Sequence, residues 1–327
     1  MKKIGIIALI IPLVMLLIPL YSLKTSGKDS IQTGGSLIGE IQYNKPPSGA
    51  KVETFRLLDH KTGKISEISA DDYIFGVLAA EMPALYEEEA LKAQAVAAYT
   101  FACYKKLSAK DRKYDISTDY TVDQAYKTEE DARKGWGDNA DKYVEKLKNV
   151  VKETRGIVVT YKGDIALTAY HSLSSGRTES AKDVWGKEVP YLVPVECAGD
   201  MIADNYLKKF EFSTQEFSEK LKSLCDFSGE PQSWIGKSKC TDSGSVIEID
   251  ICKKSLAGSK VRQALELPSC CFDISLSNDT FIVTTRGYGH GVGMSQNGAN
   301  VLAKQGSNYE EILTWFYSNC TLEKTKN

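Results

Sequence analysis

After Met1-Lys2-Lys3 the chain runs from Ile4 to Leu23 without a charge, twenty residues that suffice for one bilayer-spanning helix. Gly, Ser, Thr, Lys and Pro predominate from 24 to 50, the composition of a linker. Beyond the linker the apolar positions take up short periods. Residues 52–58 and 64–68 flank Asp59-His-Lys-Thr-Gly63 and predict a hairpin. Ser69-Ala-Asp-Asp72 reads as a capping box opening a helix through Tyr73, Ile74, Val77 and Leu78. That helix stops near Met82, because Pro83 disfavours a helical residue before it. A longer helix is predicted over about 87–107, with Leu91, Ala95, Ala98 and Ala102 forming a narrow face of small side chains for close packing. Further helices are expected at about 139–154, at 217–224 behind the capping box Ser213-Thr-Gln-Glu216, at 261–267, and behind Ser307-Asn-Tyr-Glu310. Strands are expected at 157–161, 165–170, 209–212, 245–252 and 280–285.

Composition adds the compartment. Tyr21-Ser-Leu-Lys-Thr-Ser26 offers no Ala-x-Ala-like cleavage site, so the apolar segment reads as an uncleaved anchor. Lys2 and Lys3 are matched by Lys24 and Lys28, but a short amino end staying inside puts the bulk of the chain outside the cytoplasm, on a single-pass cell-membrane protein. Eight cysteines suit an oxidising compartment, with one or two bridges whose partners the sequence does not choose. They form neither a C-x-x-C pair nor a zinc-finger spacing. A net charge of -2 gives no reason to expect a nucleic-acid partner.

Three stretches carry candidate chemistry. Glu81 is the last helical carboxylate, preceded by Val77-Leu-Ala-Ala80 and followed by Met-Pro. Apolar surroundings disfavour its ionised form, and so does the carbonyl end of a helix. A glutamate so placed is a candidate proton donor near neutral pH. His171-Ser-Leu-Ser-Ser-Gly-Arg-Thr-Glu-Ser180 gathers hydroxyls, an imidazole and a guanidinium in one loop after a strand, with donors for a sugar or an acetamido group. Arg286-Gly-Tyr-Gly-His-Gly-Val-Gly293 alternates glycines between a strand and a helix, so that a ligand or another segment can approach the backbone. It lacks the G-x-G-x-x-G spacing of a dinucleotide site. Trp185 and Tyr191 can stack on sugar faces or fill a core, Gln94 could be polar lining though it is expected to be exposed, and 115–126 reads as a lining loop.

Ala79-Ala-Glu-Met-Pro83, Ala90-Leu-Lys-Ala-Gln-Ala-Val-Ala-Ala98, Val184-Trp-Gly with Pro190-Tyr-Leu192, and Gly289-His-Gly-Val-Gly-Met-Ser-Gln296 occur in that order. Together they resemble the stage II sporulation protein D / amidase-enhancer family over about residues 50–320. The resemblance implies a lytic transglycosylase that cuts peptidoglycan glycan strands stripped of their peptides, during engulfment of the forespore. It implies a cell-wall amidase and a further septal membrane protein as partners, and Glu81 as the catalytic acid. In that picture one Glu protonates the bridging oxygen and then takes the proton of the sugar's own 6-hydroxyl, leaving a 1,6-anhydro end. His171, Ser172, Ser175, Tyr191, Gly289, His290, Gly291 and Gln296 would bind the sugar. Three departures stand out. Tyr99 occupies a position where the family commonly has Arg, and Ser174-Ser-Gly176 stands for the usual Ser-x-Gly-Gly. Some clostridial relatives bind zinc near this loop through one histidine and two cysteines; no cysteine lies between His171 and Cys197, and no cofactor is expected.

The expected architecture is α+β: a β-rich core with packed helices, behind one N-terminal transmembrane helix. It divides into an anchor at 1–23, a linker at 24–50 and a catalytic region at 51–320. Rival functions are a non-catalytic glycan-binding enhancer of an amidase, a lysozyme-type hydrolase using Asp123, Glu179 or Asp183 as second carboxylate, and a scaffold without a sugar site.

Overall fold

The computed structural model describes residues 51–108 and 112–325; the expected anchor and linker lie outside them. No helix among the described residues is long and apolar enough to cross a membrane. The class is α+β, with strands in five small sheets and the hydrophobic interior divided into two cores.

The first core begins with the predicted hairpin, β1 (Thr54–Leu58) and β2 (Ile65–Ser69), joined in parallel by the short β3 (Ile116–Ser117). Helix α1 (Ala70–Glu81) starts at Ser69, whose hydroxyl accepts the Asp72 N–H, and ends where Met82 turns extended before Pro83. Helix α2 (Glu88–Ser108) is the centre of this core, packed on by α1, by α4 (Ala140–Thr154), by β4 (Ile157–Tyr161) and by two later helices. The small face expected of α2 is only part of what is buried. Ala90, Ala93, Ala95, Val96, Ala97, Ala98 and Ala102 all lie inside, and small side chains let several elements reach one helix at close range. The core here is therefore organised on a helix, and the β-rich core expected from the sequence is found elsewhere. Helix α3 (Glu129–Trp136), β5 (Asp164–Ile165), β6 (Tyr170–His171) and α5 (Ala181–Trp185) complete the run up to the second core.

That second, β-rich core is formed by β7 (Leu207–Ser213), α6 (Thr214–Leu221), β8 (Ile235–Cys240), β9 (Val246–Ile251), β10 (Lys254–Ala257), α7 (Gly258–Ala264), β11 (Phe272–Ser277) and β12 (Thr280–Arg286). Its two antiparallel sheets run β10-β9-β8 and β11-β12-β7 around Phe217, Trp234 and Phe281. Phe281 stacks between the other two rings, at 4.1 Å from Phe217 and 5.7 Å from Trp234. The capping box at Ser213 and Glu216 is present as expected.

The glycine run then carries the chain back to the first core. There β13 (Met294–Ser295) pairs in parallel with β6, and α8 (Gln296–Lys304), α9 (Tyr309–Phe316) and β14 (Thr321–Lys324) follow. The last cap is one residue later than expected, formed by Asn308 with Glu311.

Candidate active site

Glu81 ends α1 and turns its carboxyl inward. Oε1 accepts the Ala125 N–H at 2.8 Å, Oε2 faces Gln296 Nε2 at 3.4 Å, and the Tyr170 hydroxyl is a third donor. Burial, the largest influence, raises its pKa above the ordinary carboxylate value, and the three donors offset part of that rise. Among the described groups that act on this carboxyl there is no second carboxylate.

The surrounding polar groups are tied to one another. Gln124 donates from Nε2 to the Tyr170 hydroxyl at 2.7 Å and accepts from the Tyr73 hydroxyl at 2.8 Å. Gln94, buried rather than exposed, presents Oε1 to Gln296 Nε2 at 3.5 Å, so α2 lines the site through its one buried amide. The loop 115–126 does line the site as expected, and a buried ion pair between Lys105 Nζ and Asp123 Oδ1, 2.6 Å apart, fixes it. The backbone just past Glu81 is fastened as well. Lys146 Nζ donates to the carbonyls of Ala84 and Tyr86, and Asn300 Oδ1 accepts the Glu87 N–H at 2.9 Å.

The glycine run lies at the seam between the cores. Gly289 and Gly291 have φ of +112° and +80°, and an added Cβ would come to 2.8 Å from His171 Cβ and from Glu179 Cγ respectively. Both the left-handed backbone and the close approach require glycine there. His290 Nδ1 accepts the Val292 N–H at 3.0 Å, and its ring lies against Trp185 at 5.3 Å and His171 at 5.7 Å. His171 is buried, with Nδ1 3.2 Å from the Val292 carbonyl oxygen and Nε2 without a hydrogen-bond partner. Burial lowers the pKa of both imidazoles, to about 4 for His171, so both are neutral at pH 7.

The expected site residues therefore fall into groups. Gln296 joins Glu81, while His171, His290, Gly289 and Gly291 form the seam beside it, linked to the Glu81 cluster through Tyr170, the neighbour of His171 on β6. Ser172 is half-buried, and its carbonyl accepts the Asn297 N–H at 3.1 Å. The Ser175 hydroxyl donates to the Ser243 carbonyl at 2.7 Å, which ties the loop to the second core. Tyr191 is a correction: it is 1% exposed, its ring packs on Tyr161 at 5.0 Å, and its hydroxyl accepts the Leu167 N–H at 2.7 Å. A ring so enclosed has no face free for a sugar.

Tyr99 is likewise away from Glu81. Its hydroxyl donates to the Val52 carbonyl at 2.9 Å and its ring lies against Phe55, fastening the start of the folded chain. The donor set of a zinc site is not assembled around His171 either. The Cys197 thiol donates to Asp200 at 3.2 Å, and no group of three or more His, Cys, Asp or Glu side chains among the described residues could hold a metal. Asp200 instead organises the backbone, accepting from the Ser174 N–H and the Ser295 hydroxyl at 2.7 Å and from Asn297 Nδ2 at 3.0 Å.

The rival carboxylates have different settings, and Glu179 is buried in the seam with its pKa raised by burial and Oε2 without a hydrogen-bond partner. Asp123 is paired with Lys105, Asp183 is exposed and caps α5 with Ser180, and Glu179 accepts from Thr241 at 2.9 Å beside Gly291. Sequence reasoning missed Gln124 and Tyr170 as site residues. In sequence Tyr170 is only the end of the strand expected at 165–170, and Gln124 one polar residue of the lining loop.

Residues 58–161 match the family described as Stage II sporulation protein. Stage II sporulation protein D of Bacillus subtilis (strain 168) is 31% identical over 95% of this chain and 91% of its own length. The protein of that name from Bacillus amyloliquefaciens is 32% identical over 85% of this chain and 80% of its own length. The amidase enhancer of Bacillus subtilis (strain 168) is 29% identical over 76% of this chain and 40% of its own length. With 31% identity over 95% of its length to stage II sporulation protein D of Bacillus subtilis, the chain belongs to the stage II sporulation protein D family.

Proposed function

We propose that this chain is a peptidoglycan lytic transglycosylase that cleaves peptide-stripped glycan strands in sporulation, with Glu81 as its single acid/base. One observation carries this: the partly buried Glu81 carboxyl has a raised pKa, and its hydrogen-bond partners among the described residues, Ala125 N–H, Gln296 and Tyr170, are donors and not carboxylates. A raised pKa keeps the group protonated nearer to neutral pH, as an acid that donates to the glycosidic oxygen requires. Once ionised, the same carboxylate takes the proton of the 6-hydroxyl of N-acetylmuramic acid, whose oxygen closes on the anomeric carbon. Atoms balance without water, and the product carries a 1,6-anhydro end. A hydrolase of the usual two-carboxylate kind needs a second acid about 5–9.5 Å from the first. Asp123, the candidate from the loop that touches Glu81, is neutralised by Lys105.

In this account Ala125 N–H, Gln296 and the Tyr170 hydroxyl stabilise the ionised form that accepts the second proton. Ile4–Leu23 anchors the chain in the cell membrane with its bulk outside, where the glycan is. A cell-wall amidase, suggested by the name of one relative, supplies the peptide-free strands, and a further septal membrane protein holds the assembly in place.

That same name favours one alternative, a glycan-binding enhancer that stimulates an amidase without cleaving. Glu81→Gln separates the two. Wild type is expected to shorten purified peptide-free strands and the variant to bind them without cleavage. Intact strands with both proteins, and amidase stimulation undiminished in the variant, would overturn the proposal in favour of the enhancer.

A further inference from the structure

The second core holds two cysteines from distant parts of its sequence. Cys225 follows α6 and is buried, while Cys252 lies half-buried in the turn between β9 and β10. Their side chains are hydrogen-bond partners of one another. Independent contacts hold the two segments together. Lys254 Nζ donates to the Leu224 carbonyl at 2.6 Å, next to Cys225, and the Cys252 thiol accepts from the backbone of Ser228, three residues past Cys225.

The turn itself is unusual. Cys252 and Lys253, the two central residues of a two-residue hairpin, have φ of 51° and 66°. Turns with positive φ at both positions strongly favour Asn and Gly, and a side chain with a Cβ is strained there. Local turn chemistry thus gives no reason for cysteine at 252, whereas a partner thiol at 225 does. Of the other six cysteines, Cys103 faces Tyr99, Cys197 donates to Asp200, Cys271 accepts from Arg286 at 3.3 Å and Cys270 is hydrogen-bonded with Arg262.

We propose that Cys225 and Cys252 form a disulfide that staples α6 to the β9–β10 hairpin. It closes a loop of about 28 residues within the second core. The oxidant is a small-molecule or protein disulfide. With glutathione disulfide, the more accessible Cys252 thiolate attacks one sulfur and releases a glutathione thiolate. Cys225 then displaces the second glutathione, so two protein thiols become one disulfide as one disulfide becomes two thiols. Burial raises the Cys225 thiol to about 11, which suits it to the second, intramolecular step at high local concentration better than to free attack from solvent.

The test uses the full chain purified in detergent, equilibrated with glutathione disulfide or with excess dithiothreitol, alkylated with iodoacetamide and digested for mass spectrometry. Cys225 and Cys252 are expected in one cross-linked product, two hydrogens lighter than the two peptides, and recovered as separate alkylated peptides after reduction. Full alkylation of both after oxidation, or exclusive linkage of either to another cysteine, overturns the proposal. Thermal melting gives a second check. The oxidised wild type is expected to melt roughly 5 °C or more above the reduced form, and Cys252→Ser to lose this dependence. A dependence that persists in Cys252→Ser also overturns it.

Discussion

Replacing Lys105 with Met tests how the site is held. Lys105 Nζ lies 2.6 Å from Asp123 Oδ1, and the two side chains are only 8% and 0% exposed. The other carboxylate oxygen, Oδ2, accepts the Ser117 N–H at 2.8 Å. Methionine matches the stem of lysine but removes the ammonium, leaving Asp123 with a backbone donor and no counter-charge. Stranding one charge of a buried pair costs about 3–5 kcal/mol. Domains are stable by only about 5–15 kcal/mol, so the loss is a large share of the total. At about 2–4 °C per kcal/mol in a chain of this size, the melting temperature should fall by roughly 6–20 °C, followed by circular dichroism. Removing the second charge as well, in Lys105→Met with Asp123→Leu, should recover most of that loss, because no ion is then left buried. Activity should recover less. Gln124 and Ala125 directly follow Asp123 and hold Tyr170 and Glu81, so a loosened loop lowers turnover even where the fold survives. A single variant within about 1 kcal/mol of wild type, or a double variant equal to the sum of its singles, would refute this reasoning.

The hydrogen bonds at Glu81 predict a pH signature. Gln296 and Tyr170 favour its ionised form, so Gln296→Leu or Tyr170→Phe should raise its pKa further and move the alkaline limb of the pH–rate profile to higher pH. A limb displaced to lower pH would show that these groups do not act on the acid. Tyr191→Phe should cost about 1–3 kcal/mol by leaving the buried Leu167 N–H without that acceptor, while glycan affinity stays unchanged. Lost affinity at undiminished stability would return Tyr191 to the sugar site.

What the chain discloses in sequence follows from how local each feature is. The end of α1 was legible because Pro83 stops a helix from one residue away, and with it came the apolar setting of Glu81. The alternating glycines were legible as positions of close approach, though not what approaches them, since His171 and Glu179 come from more than a hundred residues away. Gln94, a polar residue on a helix edge, reads as exposed or as polar lining, and only the covering of α2 on almost every side decides for lining. Tyr191 could serve a sugar or a core equally well by residue type, and only the placement of Tyr161 and Leu167 decides. The division into two cores left no mark in composition, because the chain leaves the first core and returns to it without a linker-like stretch. The last helix cap was missed by one residue for a plainer reason: Ser307 and Asn308 are both good caps, and Glu311 selects the second.

The most direct test of the central claim is the chemistry of the new ends. Peptide-free glycan strands are incubated with the full chain in H₂¹⁸O and the fragments are weighed by mass spectrometry. The account predicts 1,6-anhydro-N-acetylmuramic ends that carry no ¹⁸O, because the sugar's own hydroxyl closes the ring. Reducing ends labelled with one ¹⁸O would contradict it, since water would then be the nucleophile and Glu81 would need a second carboxylate.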